Sequence, residues 1–181
     1  MKKCLLVLSV IFFLVGCDVM VDSPTKRVER FLNKYQTVDE EVLVQLDEVI
    51  EKEETLNDEL KDIYKEVMKR GYQNLYYTIK DETVDGNHAT VTVEIEVYDF
   101  SKAMKEADDY LIKNEKEFKN DKGEIDNYKF MSYKIDKMKN TKDKVKYTIE
   151  FKLTKSNNKW NLDDIDEVTR SKIHGIYIEQ G

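Results

Sequence analysis

Residues 90–97, Thr-Val-Thr-Val-Glu-Ile-Glu-Val, decide the fold, because apolar and polar side chains alternate strictly along them. A period of two residues is typical of an antiparallel strand that turns one face to a core and the other to water. Just before this stretch, Asp85-Gly86-Asn87 favours a tight hairpin turn. A preceding strand that begins at Tyr77 and Ile79 is therefore predicted to pair with it.

A second pair of strands is predicted farther along the chain. The alternation returns over Val145–Leu153, and Asn157-Asn158 is typical of a turn into the short return strand Trp160-Asn161-Leu162. Trp160 is the only tryptophan, and we expect it to pack against the core as part of this closing hairpin. A last helix is predicted within Asp164–His174, ended by Gly175.

Helical periodicity comes before the strands and between the two pairs of strands. Ser23-Pro24 is typical of a helix start, and the capping-box pattern Thr37-Val38-Asp39-Glu40 predicts the start of a second helix. Asn57 or Thr55 is expected to cap a third helix. After the first pair of strands, helical spacing returns over Ser101–Phe118. Asn120-Asp121-Lys122-Gly123 interrupts it, and a second helix is predicted from about Glu124 to Met138.

These elements predict a single α+β domain over residues 23–181, in which N-terminal helices pack against a curved antiparallel sheet and residues 101–138 form a helical insertion. The element order and the closing hairpin with Lys159-Trp160-Asn161-Leu162 resemble the nuclear transport factor 2-like (cystatin-like) cone. The insertion and Ile173-His174-Gly175-Ile176-Tyr177 resemble a group of uncharacterised lipoproteins from Gram-positive bacteria. These resemblances imply a fold and a cellular location, and they imply no catalytic activity.

The first seventeen residues predict export to the outer side of the cell membrane. A cationic start, Met1-Lys2-Lys3, precedes the apolar run Cys4–Val15. This run is shorter than the roughly 20 residues of a transmembrane helix and is typical of a signal peptide. It ends in Leu14-Val15-Gly16-Cys17, which resembles the lipobox of bacterial lipoproteins. In that family a signal peptidase cuts before the cysteine, whose thiol carries a diacylglycerol.

The lipobox resemblance implies a signal peptide at residues 1–16, cleavage between Gly16 and Cys17, and palmitate-type acyl chains on Cys17. Residues 17–22 are then a lipidated N-terminus and short tether, which holds the domain at the extracytoplasmic face of the cell membrane. Two or three acyl chains anchor a protein stably, whereas one chain does so only marginally.

The net charge and the number of cysteines argue against several classes of function. Loss of Lys2 and Lys3 with the signal peptide changes the formal net charge from −7 to −9, and this acidic balance argues against nucleic-acid binding. With Cys4 removed and Cys17 lipidated, no thiol is left for a disulfide, a catalytic thiolate or a zinc site.

The side chains that carry chemistry form no catalytic or metal-binding pattern. His88 and His174 have no partner motif, and His174 is better explained as a cation-capable residue of the kind favoured at a helix C-terminus. The loop Asn120-Asp121-Lys122-Gly123-Glu124 lacks the alternating acidic ligands of a calcium site. Asp163-Asp164-Ile165-Asp166-Glu167 suits the first turn of a helix, with a metal site as the weaker alternative. We therefore expect no catalytic residue, no metal and no cofactor.

The eleven tyrosines are an unusual feature, and two interpretations of those near the sheet stay open. Their rings complete the core, which is the favoured interpretation, or they line a pocket that recognises a ligand or peptide. The tyrosines concerned are Tyr72, Tyr76, Tyr77, Tyr98 and Tyr147.

The leading hypothesis for the function is a non-catalytic, lipid-anchored domain of the cell envelope that binds a small ligand or a protein partner. The nuclear transport factor 2-like resemblance also implies a pocket enzyme of the ketosteroid-isomerase type, which a carboxyl with a perturbed pKa beside a tyrosine would favour. A third hypothesis is an accessory subunit that docks through residues 101–138, which an exposed apolar stripe there would favour.

Overall fold

The helices and strands follow the predicted order. The computed structural model describes residues 22–179. The signal peptide, the lipobox Leu14–Cys17 and the predicted lipidation at Cys17 lie outside these residues. The elements are α1 (Pro24–Thr37), α2 (Glu40–Glu51), α3 (Asp58–Gln73), β1 (Tyr76–Asp85), β2 (His88–Tyr98), α4 (Phe100–Lys113), a short 3-10 turn (Glu115–Phe118), α5 (Asn127–Asn140), β3 (Lys144–Ser156), β4 (Lys159–Leu162) and α6 (Glu167–His174).

The four strands form one antiparallel sheet in the order β1-β2-β3-β4. The sheet is curved and unclosed, and helices pack against it, so the predicted α+β class is confirmed. The longest pairing joins β2 to β3, from His88 opposite Thr154 to Tyr98 opposite Lys144. At the closing hairpin Asn157 and Asn158 have φ angles of 50° and 59°, as a two-residue turn between twisted strands requires.

One face of strand β2 is buried in the core and the other faces solvent, as the alternation of apolar and polar residues predicts. Val91, Val93 and Ile95 are completely buried in the core. On the opposite face Glu94 accepts hydrogen bonds or ion pairs from two lysines of the neighbouring strands, Lys146 at 3.2 Å and Lys80 at 3.4 Å. This period-two division of apolar and charged side chains fixes the register, since a slip of one residue would place every carboxylate in the core.

Helix α1 lies on the apolar side of the sheet. The Ser23 hydroxyl caps it by accepting a hydrogen bond from the Lys26 N–H at 3.2 Å, and Pro24 occupies the first turn. Val28 and Leu32 are completely buried. The helix contacts β1, β2 and β4, and it therefore bridges the two edges of the sheet.

The junction between α1 and α2 differs from the predicted capping box. Thr37 belongs to α1, where its hydroxyl donates back to the Asn33 carbonyl at 2.8 Å. Val38 takes a left-handed conformation with φ +50°, and the Asp39 N–H reaches the Lys34 carbonyl at 2.9 Å, which closes α1. Asp39 then caps α2. The third helix is capped by Asn57, one of the two predicted residues.

The helical insertion connects β2 to β3 and is a pair of packed helices. Helix α4 ends at Lys113, before the predicted helical spacing ends, and the 3-10 turn follows it. Helix α5 begins at Asn127 because Asp126 is its cap. Rings from both helices and the turn form an aromatic cluster of their own: Tyr110, Phe118, Phe130 and Tyr133.

The C-terminal helix is short and fixed at both ends. It begins at Glu167, later than predicted, because Asp166 caps it by accepting from the Thr169 N–H at 2.7 Å. Gly175 ends it with φ +71° as predicted. A Cβ at this position would lie 2.2 Å from the Tyr98 carbonyl oxygen, so only glycine permits this close approach.

None of the helices within residues 22–179 combines the length and apolar character needed to cross a membrane.

Trp160 is buried in β4, with 5% of its surface exposed, so its predicted place in the core is confirmed. We expect Trp160→Ala to lower the free energy of unfolding by about 3–5 kcal/mol, because it removes a large buried aromatic side chain. Urea unfolding followed by circular dichroism measures this loss. Lys159→Ala, at the exposed neighbour in the same strand, is the control. A loss below about 1 kcal/mol for Trp160→Ala would contradict the packing described here.

Candidate functional site

A groove of about 470 Å³ lies between α1, β4 and the loop from β4 to α6. We call it the α1–β4 groove. Its volume is within the roughly 300–1,000 Å³ that is typical of small-molecule sites. Aromatic side chains, a row of basic side chains and three carboxylates line it.

Three aromatic rings contribute the apolar lining of the groove: Phe31, Tyr35 and Trp160. Phe31 and Tyr35 come from one face of α1, and their rings meet edge to face at 5.4 Å between centroids. Phe31 also packs against Phe151 of β3 at 5.8 Å. Because the rings are held by the core behind them, this lining is fixed before any ligand arrives.

Helix α1 adds a basic row beside these rings. Arg27, Arg30 and Lys34 line the groove, and their spacing of three and four residues places them on one helical face. Arg27 donates from Nε to Asp22 at 2.7 Å, and Lys34 pairs with Glu41 of α2. Arg30 has no carboxylate oxygen within 4.0 Å among residues 22–179.

Arg170 of α6 lines the same groove, and its side chain is half-buried. One terminal amino group donates to the Ile165 carbonyl at 3.5 Å. Its Nε is buried and has no hydrogen-bond acceptor among the described residues. Leaving a buried donor unsatisfied costs about 1–3 kcal/mol, so the Nε position is a local loss of stability in the fold.

Two carboxylates line the groove from the loop between β4 and α6. The Asp163 N–H donates to the Lys152 carbonyl at 2.9 Å, and its carboxylate accepts from the Thr154 hydroxyl at 3.3 Å. Asp164 lines the groove beside it. The acidic run was predicted to form the first turn of a helix, and this is wrong for Asp163 and Asp164, because the helix starts only after the cap at Asp166.

Asp22 connects the two sides of the groove. Its carboxylate accepts from the Trp160 backbone N–H at 2.8 Å and from Arg27 Nε at 2.7 Å. The hydrogen bond from Trp160, with Arg27 beside it, holds the pKa of Asp22 below its ordinary value. The start of α1 is thereby attached to strand β4.

The tyrosines singled out from the sequence do not line this groove. Tyr72 is buried in the core, and Tyr77, Tyr98 and Tyr147 are partly buried against it, so the core interpretation is confirmed for these four. Tyr76 is 63% exposed. The tyrosine in the groove is instead Tyr35.

The two histidines lie at opposite ends of β2. His88 is exposed at its first residue. His174 is the last residue of α6, next to Gly175, which packs on Tyr98 at the last residue of β2. The His174 ring lies 5.3 Å from the Tyr72 ring and 6.1 Å from the Tyr35 ring. Burial, with a smaller effect of Arg170, lowers the pKa of His174 to about 4. His174 lies at a helix C-terminus as predicted, but its burial favours the neutral imidazole over the cation.

The other side chains considered as metal ligands do not come together in a metal site. Within residues 22–179, no group of three or more His, Cys, Asp and Glu side chains is arranged to hold a metal ion. In the loop Asn120–Glu124 the Asn120 side chain accepts from the Lys122 and Glu124 N–H groups, at 2.9 and 3.1 Å, and closes a turn.

The lowered pKa of His174 predicts a pH dependence of stability. A pKa near 4 in the folded state, against about 6.5 in the unfolded state, stabilises the fold above pH 6.5, and this stabilisation is lost as the pH falls toward 4. We expect wild type to lose about 1–2 kcal/mol between pH 7 and pH 5 that the His174→Phe variant does not lose. Urea unfolding at each pH measures the difference. His88→Phe, which changes an exposed histidine, should behave like wild type, and an equal pH dependence in all three proteins would contradict the burial of His174.

Comparisons with known proteins do not identify a function for this groove. No protein-family model matches the chain, and no curated protein matches it significantly. Among solved structures, a candidate lipoprotein of Bacillus subtilis, ycdA, is similar with a TM-score of 0.41 and 17% sequence identity. The likeness covers 68% of this chain and 39% of that protein, so this chain spans less than half of its length. A likeness at this level carries neither a function nor a site to this chain.

Proposed function

We propose that this protein is a non-catalytic, lipid-anchored domain on the extracytoplasmic side of the cell membrane, and that it binds a small ligand in the α1–β4 groove. The observation that carries the binding role is Arg170, a cation with no carboxylate oxygen within 4.0 Å among the described residues, in a groove that also holds three fixed aromatic rings. A ligand with an acceptor and an apolar part would satisfy both features.

The anchoring part of the proposal rests on Leu14-Val15-Gly16-Cys17 and its resemblance to a lipobox. Asp22 follows Cys17 by five residues, which span at most about 18 Å when extended. Because Asp22 is bonded to Trp160 and Arg27, the groove lies close to the membrane surface. An anionic bilayer repels an acidic domain, so the lipid and not the protein surface provides the attachment.

The proposed fold relationship is to the nuclear transport factor 2-like class. The helices that precede the sheet, the open four-stranded antiparallel sheet and the closing hairpin with Trp160 support it. This relationship concerns architecture and assigns no activity.

A pocket enzyme of the ketosteroid-isomerase type is less well supported than a binding domain. Such an enzyme uses a carboxyl whose pKa is shifted toward neutrality. The carboxyls whose pKa values are shifted within residues 22–179 are all shifted downward by hydrogen bonds to their charged form: Asp22, Glu94, Asp109 and Asp166. The carboxylates in the groove, Asp163 and Asp164, are exposed to solvent.

Docking of a protein partner through the helical insertion is also less well supported. The large exposed apolar side chains of its described helices are Ile112 on α4 and Tyr128 on α5. They are on different helices, and the Tyr128 hydroxyl donates to Glu59 at 3.1 Å. Isolated residues of this kind are ordinary on protein surfaces and do not form a docking stripe.

Lipidation of Cys17 is tested by mass spectrometry of the protein from membranes of its native host. We expect the mature chain to begin at Cys17 with a diacylglycerol on its thiol, and Cys17→Ala to abolish the modification and release the protein or leave its signal peptide uncut. Cys4→Ala is the matched control and should mature normally. An unmodified Cys17 in membrane-bound wild type would show that the anchor has another origin.

The ligand role is tested by native mass spectrometry of the same purified protein. We expect wild type to carry a bound small molecule that Arg170→Met loses, because the substitution keeps an apolar stem but removes the guanidinium. Lys116→Met, on the 3-10 turn outside the groove, should retain the bound molecule. Equal retention by Arg170→Met and wild type would place the ligand elsewhere.

A further inference from the structure

We infer that the ligand of the α1–β4 groove is a zwitterion with an apolar part, of the size of an amino acid or a short peptide with free termini. Its anionic group lies against Arg30 and Arg170, and its ammonium group lies against Asp163 and Asp164. This inference rests on the proposed function and adds the chemical class of the ligand.

The first argument is that charges of opposite sign reach the groove from different elements of the fold. The basic side chains come from the helices α1 and α6, and the carboxylates Asp163 and Asp164 come from the loop after β4. Two of the basic side chains are already neutralised by partners, Arg27 by Asp22 and Lys34 by Glu41. Two cations and two carboxylates are left to interact with a ligand.

The second argument is that these remaining charges do not meet each other. Within residues 22–179, no ion pair of 4.0 Å or less joins Arg30 or Arg170 to Asp163 or Asp164, and Arg30 acts on Asp22 only through the longer-range Coulomb interaction. Elsewhere on the surface comparable charges do pair, as Glu94 does with two lysines. Among the described residues, the remaining charges of both signs therefore line one groove without pairing with each other.

The third argument is that a ligand of one sign fits poorly. A simple anion at Arg30 and Arg170 lies in a groove that also holds two carboxylates, and a simple cation lies in a groove that also holds two arginines. Like charges brought together in an interface are unfavourable. A zwitterion meets an opposite charge at each end, and its apolar part packs on the lining formed by Phe31, Tyr35 and Trp160.

Two of the four charged groups, Asp163 and Arg170, are also held in place before binding. Hydrogen bonds to Lys152 and Thr154 of β3 fix Asp163, and α6 holds Arg170 between the Asp166 cap and Gly175. Groups that are already ordered lose less entropy on binding, which favours recognition of a small ligand.

The test uses the fluorescence of Trp160, which is the only tryptophan and lines the groove. The full-length lipidated protein in detergent is titrated with dipeptides that carry one apolar side chain, such as Ala-Phe. The same dipeptides with an acetylated amine or an amidated carboxyl serve as matched controls. We expect the free dipeptides to change the emission saturably, and each blocked form to bind at least tenfold more weakly, about 1.4 kcal/mol per lost charge interaction.

Two variants test which side chain of the groove contacts each charged end of the dipeptide. Arg30→Gln should weaken the free dipeptide but not the amidated form, and Asp164→Asn should weaken the free dipeptide but not the acetylated form. Both residues are exposed, so these variants are expected to fold, and Lys116→Gln is the control that should leave all affinities unchanged.

Glycerophosphoethanolamine carries the same pair of charges and is the second probe. Binding of this headgroup alone supports a zwitterion that comes from lipid and not from a peptide. Equal binding of free and blocked dipeptides would overturn the inference, and so would the failure of both probes to bind. A small molecule that native mass spectrometry still finds in the wild-type groove would then leave the proposed function intact.

Discussion

The carboxylate of Asp22 accepts a hydrogen bond from the edge strand β4, and the arrangement of the groove depends on this bond. Strand β4 is an edge strand, and the backbone N–H of Trp160 donates to Asp22 instead of to another strand. An unpaired N–H on an edge strand lowers stability, and it can pair with a strand of another chain and so promote aggregation. Because the same carboxylate also accepts from Arg27, one side chain satisfies the edge, fixes the start of α1 and sets α1 beside β4.

This attachment links the proposed anchor to the proposed site. The side chain that joins α1 to β4 is five residues after Cys17, so the proposed lipid anchor would be joined to one side of the groove by a short tether. The basic face of α1, the aromatic rings and the carboxylates of the β4–α6 loop surround the same volume. Their mixed charge within an acidic protein is the feature that a binding role explains best.

Much of the fold was predictable because its signals are local. The alternation of residues 90–97 and the glycine at position 175 each act on neighbouring backbone, and both predictions are confirmed. The groove was not predictable, because it joins α1, β4 and α6, which only the tertiary fold brings together. Its one local signal, the spacing of Arg27, Arg30 and Lys34, is equally typical of a solvated helix face. The burial of His174 depends on Tyr72 of α3, and the cap at Asp39 depends on a left-handed Val38, a conformation that is rare for a β-branched residue.

Amide hydrogen exchange at Trp160 tests most directly whether Asp22 holds α1 to β4. In wild type the Trp160 N–H should be protected, and in Asp22→Ala it should exchange several-fold faster, since this N–H loses its acceptor. The amide of Val93, in the centre of the sheet, should exchange at the same rate in both proteins. Equal protection of Trp160 in the two proteins would contradict the attachment and, with it, the arrangement of the groove.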